Sequence, residues 1–575
     1  MIDLKFSEII KQNAALGNAL EGGYEIGVLS NIIVSQIKPI LEYNLRTQGI
    51  PANCIIGDYD NILQDAVSMS KMNAVLIFWE LANWVDGFQY RSNLLSDDQT
   101  EEYIARFKSE IDYVLSHLKD TPLIIINKFS TLAFNQFAIG EDNFDRICET
   151  LNAYLKTKSA SNIVVVDTSK VISQLSVERA ISFRDYYSSK ALYTVDFLKH
   201  YTQFITPVIS TINGKRKKAI IFDCDNTLWE GIIGEDGIDG IKMSASSPKG
   251  VVFEEVQFLA KKLAADGILV CLNSKNNPGD IDEVFSNHSD LSLTNDEVIV
   301  KKINWDKKVK NLADISEELN IGTDSFVFVD DSDFEINLVN QYQPEITTIQ
   351  VPKEKYLYPA LIRRHLNLFY SPDRTKEDKA RVKMYQQQKE REEKKAAFEN
   401  IDEYLASLDL QVDIFVDKIE LVPRLAQLTQ KTNQFNLTTR RYTESEMLSF
   451  TKSDNYLVFA FGVKDKYGDF GITGLSVVEL KGTNAVIDTL LMSCRVLGRN
   501  IEQQFLDEII KALATKGVDT VRAEYCRTQK NDQVSDFYDK LGFVLQKADG
   551  PRKEYTISVP AYQNHSLTYI AINHA

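Results

Sequence analysis

The chain has 575 residues, 44% of them hydrophobic and 25% charged, with a formal net charge of -16 and a pI near 5.1. A single core stops growing at roughly 250–300 residues, so this is a soluble protein of several domains. The acidic balance excludes non-specific binding to nucleic acid or an anionic membrane, and six scattered cysteines without a C-x-x-C pair exclude a disulfide framework and a zinc site. The N-terminal MIDLKFSEIIKQNAALGN carries charge and lacks an apolar core, so no signal peptide is expected. No apolar run reaches the ~18 residues needed to span a membrane. Reduced thiols and no targeting segment together predict a cytoplasmic protein.

Residues 1–215 alternate short apolar strands with helical stretches, which predicts a parallel three-layer α/β domain. The strands are expected from Tyr24, from Ala74, at Pro122–Ile126 and at Asn162–Val166. A strand ending in Ser30 and Asn31, with Gly57, Asp58 and Asn83 following, resembles the SGNH hydrolases. Such an enzyme needs a late Asp and His to activate its serine. The nearest pair, Asp196 and His200, is separated by three residues where that family has two. A degenerate domain that binds a partner or completes a site elsewhere is therefore expected.

A short basic joint at 211–218, read as a solvated linker, leads into AIIFDCDNTLW at 219–229. Here a buried strand ends in Asp223, Asp225 and Thr227, where open α/β sheets bind ligands. Two acids so close favour a cation between them, and an ionised carboxylate can act as a nucleophile without a base. On its own D-x-D-x-T fits a solvated turn equally well. Three later apolar runs end in groups that suit phosphoryl transfer. The first reaches Ser274, Lys275 and Asn276, and its hydroxyl suits a phosphate oxygen. The stretch at 304–308 brings Lys308, a cation for the transferring group, with Lys307 and Lys310 as adjacent alternatives. The third run reaches Asp330 and Asp331, further carboxylates for a metal.

Four pieces in this order resemble the haloacid dehalogenase (HAD) superfamily of phosphatases and phosphotransferases, over about 216–370. In that superfamily a cap over small substrates is inserted between Thr227 and the helix near Val251, or between Lys308 and Asp330. Neither interval is long enough here, so an open site suited to a substrate on a macromolecule is expected.

Residues 371–400 are densely charged, with pairs such as Glu377 and Arg381 at i,i+4, and predict a solvated helical linker. From about 401 onward a second α+β unit is expected. Its strands lie at 456–462, 471–480 and 485–494, followed by a turn at 495–500 and a helix to about Lys516. This order resembles the GNAT acyltransferases, whose R-x-x-G-x-G/A turn holds the pyrophosphate of coenzyme A at a helix N-terminus. Arg495, Gly498 and Asn500 occupy that pattern, and Asn500 stands where Gly or Ala is wanted.

The whole chain resembles the FkbH-like family, HAD-type enzymes of polyketide and secondary metabolism. The resemblance rests on DCDNTLWEGIIGEDG at 223–237, Ser274-Lys275-Asn276, Asp330-Asp331, QLTQKTNQFNLTTRRY at 427–442 and SCRVLGR at 493–499. It implies a bifunctional, Mg²⁺-dependent glyceryl transferase/phosphatase. Such an enzyme dephosphorylates 1,3-bisphosphoglycerate and loads the glyceryl group onto the phosphopantetheine arm of an acyl carrier protein. It further implies Asp223 as nucleophile and metal ligand, and Asp225 as general acid/base giving its backbone carbonyl to the metal. Cys224 would carry a transient acyl thioester, although strand alternation aims it away from the acids. Thr227, Ser274 and Lys308 would hold phosphoryl oxygens, Trp229, Lys275 and Asn276 would shape the substrate pocket, and Asp330 with Asp331 would complete the metal shell. A simple HAD phosphatase and a CoA-dependent acyltransferase remain as alternatives.

Overall fold

The structure, a computed structural model, describes residues 4–20, 23–158, 160–371, 382, 384–387, 401–528, 530–565 and 567–574. Apart from residues 371, 382 and 384–387, the expected linker helix at 371–400 lies outside these. The described chain divides into two compact units, 1–213 with 442–446, and 214–441 with 447–575. Among the described residues no helix is long and apolar enough to cross a membrane.

The first unit is built on five parallel strands, β1 (Tyr24–Ser30), β2 (Ala52–Ile56), β3 (Ala74–Phe78), β4 (Ile124–Asn127) and β5 (Ile163–Val166), in the order β2-β1-β3-β4-β5. Every residue of β3 and β4 is buried, as expected of inner strands covered by helices on both faces. The three-layer domain expected from the sequence is present.

The second unit holds two sheets. The first contains β6 (Ala219–Phe222), β7 (Leu269–Ser274), β8 (Val298–Ile303), β9 (Phe326–Asp330) and β10 (Thr347–Gln350), all parallel in the order β10-β9-β6-β7-β8. Alternation along these strands fills two cores. Ile220, Phe222, Val270, Leu272, Val327 and Val329 face one layer, and Ala219, Ile221, Leu269, Cys271, Phe326 and Phe328 face the other. The chain runs outward from β6 to β7 and β8, then returns to β9 on the other side of β6. The strand order therefore reverses between β6 and β9, and this is where open α/β sheets place their ligands. A short helix, Ile233–Gly240, occupies the first interval where a cap could sit, and helix Lys308–Leu319 with β9 fills the second. Neither holds a cap domain.

The second sheet is mixed. Strands β11 (Leu410–Val416), β12 (Phe435–Asn436), β13 (Tyr456–Asp465), β14 (Gly468–Lys481), β15 (Asn484–Met492), β16 (Thr520–Cys526), β17 (Val544–Asp549), β18 (Arg552–Ser558) and β19 (Ile570–His574) run in the order β17-β18-β16-β15-β14-β13-β11-β19, and β12 pairs with β15. The expected antiparallel meander is β13-β14-β15. The helix after it is Ile501–Thr515, and its apolar face joins the core through Phe505, Leu506, Ile509 and Leu513. The protein is thus a multidomain α/β chain.

Candidate active site

The backbone of Asp223 extends the pairing of β6 by one residue, its N–H donating to the Val329 carbonyl at 2.9 Å. The chain then turns. Thr227 and Leu228 donate back to the Cys224 carbonyl, and Asn226 adopts φ +54°, a left-handed conformation that Asn tolerates. This bend lets Asp223 and Asp225 reach the groups at the ends of β7 and β9.

Asp223 Oδ1 accepts from Ser274 Oγ at 2.7 Å and lies 2.8 Å from Lys308 Nζ. The same ammonium donates to Asp330 Oδ2 at 2.6 Å, while Asp330 Oδ1 accepts from the Ser332 N–H at 2.9 Å. Lys308 opens helix Lys308–Leu319, whose start is fixed by Asn273 donating to the Lys308 carbonyl and by Asn311 donating to Asn273. Its side chain is 5% exposed. Burial would lower the Lys308 ammonium, but the Asp223 and Asp330 carboxylates outweigh it and hold it charged. Lys310 pairs at the surface with Asp306, and exposed Lys307 caps the helix, so Lys308 is the lysine at the site.

Oxygens of Asp223, Asp330 and Asp331 lie within 4.8 Å of one another. One ammonium cannot neutralise three acids. Burial and then the charge of Asp223 push Asp330 up to about 7 and also raise Asp331. The donor set is all oxygen with net negative charge, which fits a hard divalent cation such as Mg²⁺. The Thr227 hydroxyl, on the turn that follows Asp223, is fully buried, with no hydrogen-bond partner among the described residues.

Asp225 turns away from this group of three. Its Oδ1 accepts from Trp229 Nε1 at 2.9 Å and from the Ile233 N–H at 3.1 Å, and its Oδ2 accepts from Asn276 at 3.0 Å. Asn276 also donates to Ser274 Oγ. Any metal role of Asp225 is left to its backbone carbonyl, because the side chain is held elsewhere. Lys275 pairs with the buried Glu335 at 2.6 Å, on the helix that follows β9.

Two expectations need correction. Cys224 is fully buried in the apolar cluster of Leu228, Trp229 and Phe253. Burial first and Asp223 second push its thiol well up, against the Ser274 side chain and the Lys308 charge, and no solvent reaches the sulfur. It continues the inward-facing alternation of Ile220 and Phe222.

The second correction concerns coenzyme A. Arg495 is held by Ser493 Oγ and Met384 Sδ. Asn500 sits at φ +60° with its amide on the Tyr569 hydroxyl, after Gly498 at φ +74°. Strands β15 and β16 pair only from Asn484 to Ile487. Beyond that point Leu437 fills the gap, donating to Leu490 and accepting from the Cys526 N–H at 2.7 Å. Arg495 and Asn500 are thus engaged with groups of the chain itself in this structure.

In the first unit Ser30 Oγ is engaged with the Ile32 backbone. Asp196 pairs with Arg179, and His200 Nδ1 lies on the Asp196 carbonyl. Among the described residues no hydrogen bond links Ser30 to His200. A buried carboxyl, Glu80, instead receives the Tyr193 hydroxyl at 2.6 Å near the end of β3.

Sequence reasoning passed over Glu335, Asn273, Asn311, Lys355 and Tyr358. Glu335, Asn311, Lys355 and Tyr358 lie on helices or turns with no local signature, and Asn273, next to Ser274 at the end of β7, has an amide that gives no sign in sequence of its role in fixing the helix at Lys308.

No family model and no curated protein matches the chain. Solved structures do. One is the N-terminal part of the protein BF1531 from Bacteroides fragilis, described as containing a phosphatase domain complexed with Mg. It is 21% identical with a TM-score of 0.58, and covers 64% of this chain and 100% of its own. That likeness shows the fold. The ribosomal-protein-S18-alanine N-acetyltransferase from Escherichia coli matches 27% of this chain over 97% of its own, at 15% identity and a TM-score of 0.21. A PaiA N-acetyltransferase from Thermoplasma acidophilum, in complex with coenzyme A, matches 25% over 98%, at 17% identity and a TM-score of 0.19. Scores this low carry no argument about function.

Proposed function

We propose that this chain is a Mg²⁺-dependent phosphatase or phosphotransferase that works through an aspartyl-phosphate at Asp223. The observation that carries this reading is the convergence of Ser274 and Lys308 on Asp223, beside Asp330 and Asp331, at the point where the strand order reverses. Asp223, Asp330, Asp331 and the Asp225 carbonyl would hold the cation, which supplies charge neutralisation for the incoming phosphoryl oxygens. Asp223 attacks phosphorus and the P–O bond to the leaving group breaks. Asp225, aimed by Trp229, Ile233 and Asn276, gives that oxygen a proton. Asp225 then takes a proton from the water that cleaves the acyl phosphate, releasing inorganic phosphate and regenerating Asp223. Lys308, Ser274 and Thr227 stabilise the phosphoryl oxygens.

The site is uncapped, and Trp305, Phe334 and Tyr356, on the segments that follow β8, β9 and β10, are exposed. This supports a substrate delivered by a macromolecule. The finer reading comes from the FkbH-like resemblance. The thiol of an acyl carrier protein's phosphopantetheine arm gives up its proton and attacks the C1 carbonyl of 1,3-bisphosphoglycerate, the C1 phosphate leaves, and the C3 phosphate is hydrolysed through Asp223, so that a glyceryl thioester and two phosphates result. The carrier's own thiol, rather than Cys224, is the acceptor in this reading. The protein is incubated with Mg²⁺, 1,3-bisphosphoglycerate and a holo carrier protein, and phosphate and carrier mass are followed. A glyceryl increment on the carrier that is absent with Asp223→Asn supports the whole reading. Phosphate release without an increment leaves a simple phosphatase. Neither product, from folded protein, overturns it.

A further inference from the structure

Tyr358 opens the helix Tyr358–His365, just past the turn Lys355–Leu357 that follows β10. Its ring is fully buried, edge-on to Phe253, and its hydroxyl has no hydrogen-bond partner among the described residues. A buried phenol without a partner is costly, and native proteins keep few of them without a reason. The charges acting on this phenol, after burial itself, are those of Asp223, Asp330 and Asp331, the three acids of the cation group.

The segment is tied to both acid-bearing turns. The Val351 N–H donates to the Asp330 carbonyl at 2.9 Å. Lys355 Nζ, one helical turn before Tyr358, donates to the Asn226 carbonyl at 3.2 Å, between Asp225 and Thr227. Lys308 is spent on two carboxylates, whereas among the described residues the half-buried Lys355 ammonium donates to a backbone carbonyl and its charge acts on Asp331.

We propose that Lys355 and Tyr358 form the remaining wall of the site. The Tyr358 hydroxyl accepts a hydrogen bond from a water in the shell of the divalent cation, and the Lys355 ammonium binds phosphoryl oxygens at the mouth. Mg²⁺ dehydrates reluctantly and keeps several waters, each of which needs acceptors, and a phenol can supply one. In an uncapped fold this segment contributes what a cap would otherwise bring. The inference rests on the cation-dependent reading of the site given above.

The test is thermal unfolding of the full-length protein, titrated first with Mg²⁺ alone and then with inorganic phosphate at saturating Mg²⁺. Tyr358→Phe should melt at or above the wild-type temperature without cation, since it loses only an orphan hydroxyl. It should also need about ten-fold more Mg²⁺ for half-maximal stabilisation. Lys355→Met removes a positive charge that acts on Asp331, so it should need no more Mg²⁺ than the wild type while shifting the phosphate titration to about ten-fold higher phosphate. If Mg²⁺ stabilises the wild type and both variants titrate like it, this proposal alone falls. If Mg²⁺ does not stabilise the wild type, the reading of the site falls and takes this proposal with it.

Discussion

The indole N–H of Trp229 donates to Asp225 Oδ1 at 2.9 Å, four residues away along the chain, from a ring shut off from solvent. The ring belongs to the core, and its one polar atom fixes the carboxylate proposed to move the proton. Trp229→Phe keeps most of the apolar volume and removes the donor. Stability should fall by about 1–3 kcal/mol from the smaller ring. Phosphate release should fall by about 10–100-fold when assayed well below the melting temperature. A variant as active as the wild type would leave Asp225 oriented by Asn276 and Ile233 alone.

Lys308 sits between two carboxylates that see almost no water. Lys308→Met would leave Asp223 and Asp330 facing each other without compensation. Removing one partner of a buried ion pair costs about 3–5 kcal/mol. The variant should therefore melt well below the wild type in chelator, and Mg²⁺ should recover part of the loss. Equal melting temperatures in chelator would count against the ion triad.

Glu80 is fully buried, and that burial, only partly offset by the Tyr193 hydroxyl, pushes its carboxyl up to about 7. The folded state then holds a proton that the unfolded chain has released above its ordinary 4.5. Stability from this group is complete below that ordinary value and is lost as pH rises toward 7. Glu80→Gln keeps an acceptor for Tyr193 and cannot ionise. It should match the wild type near pH 4.5 and exceed it at pH 8 by on the order of 3 kcal/mol. Chemical denaturation at the two pH values measures this, and a difference of the same size at both would refute it.

The gap between β15 and β16 is closed by Leu437, bonded to Leu490 on one side and Cys526 on the other. Calorimetric titration with acetyl-CoA should give no saturable binding to the wild type. Leu437→Pro removes the donor to Leu490 inside a sheet and should destabilise the protein by about 3 kcal/mol. Saturable binding to the wild type would show that the wedge yields.

The parallel sheet that carries Asp223 was the most legible part. Each strand of a parallel sheet is buried on both faces, so it reads as an apolar run, and polar residues at its end stand out. Asp223, Ser274 and Asp330 were visible for this reason, and the absence of a cap followed from counting residues between them. Lys308 was found at the start of a helix but left open among three lysines, because sequence gives no sign of which faces the sheet. Cys224 shows the opposite failure. A family role placed its thiol in the chemistry, while strand alternation, visible all along, turned it into the core.

The C-terminal unit was legible as a meander and a helix, but the surroundings of its turn at 495–500 were not. The turn at 495–500 carries a local pattern, and a local pattern does not say whether a neighbouring strand has filled the space it would serve. Residues 435–438 were read only as part of a family string. Their position as a wedge depends on β12 pairing with β15, across 50 or more residues of chain.

By itself the sequence determined the element types, the two carboxylates on one turn and the acidic, uncapped character of the chain, since these follow from periodicity, spacing and charge over short distances. The tertiary structure alone decided which strand ends became neighbours. Placing β9 beside β6 brings Asp330 within one ammonium of Asp223, and it swings the segment after β10 to the same edge, where Lys355 and Tyr358 meet the turn that carries the acids. Those contacts join residues scores of positions apart, and no local physical signal in the chain encodes a pairing at that range.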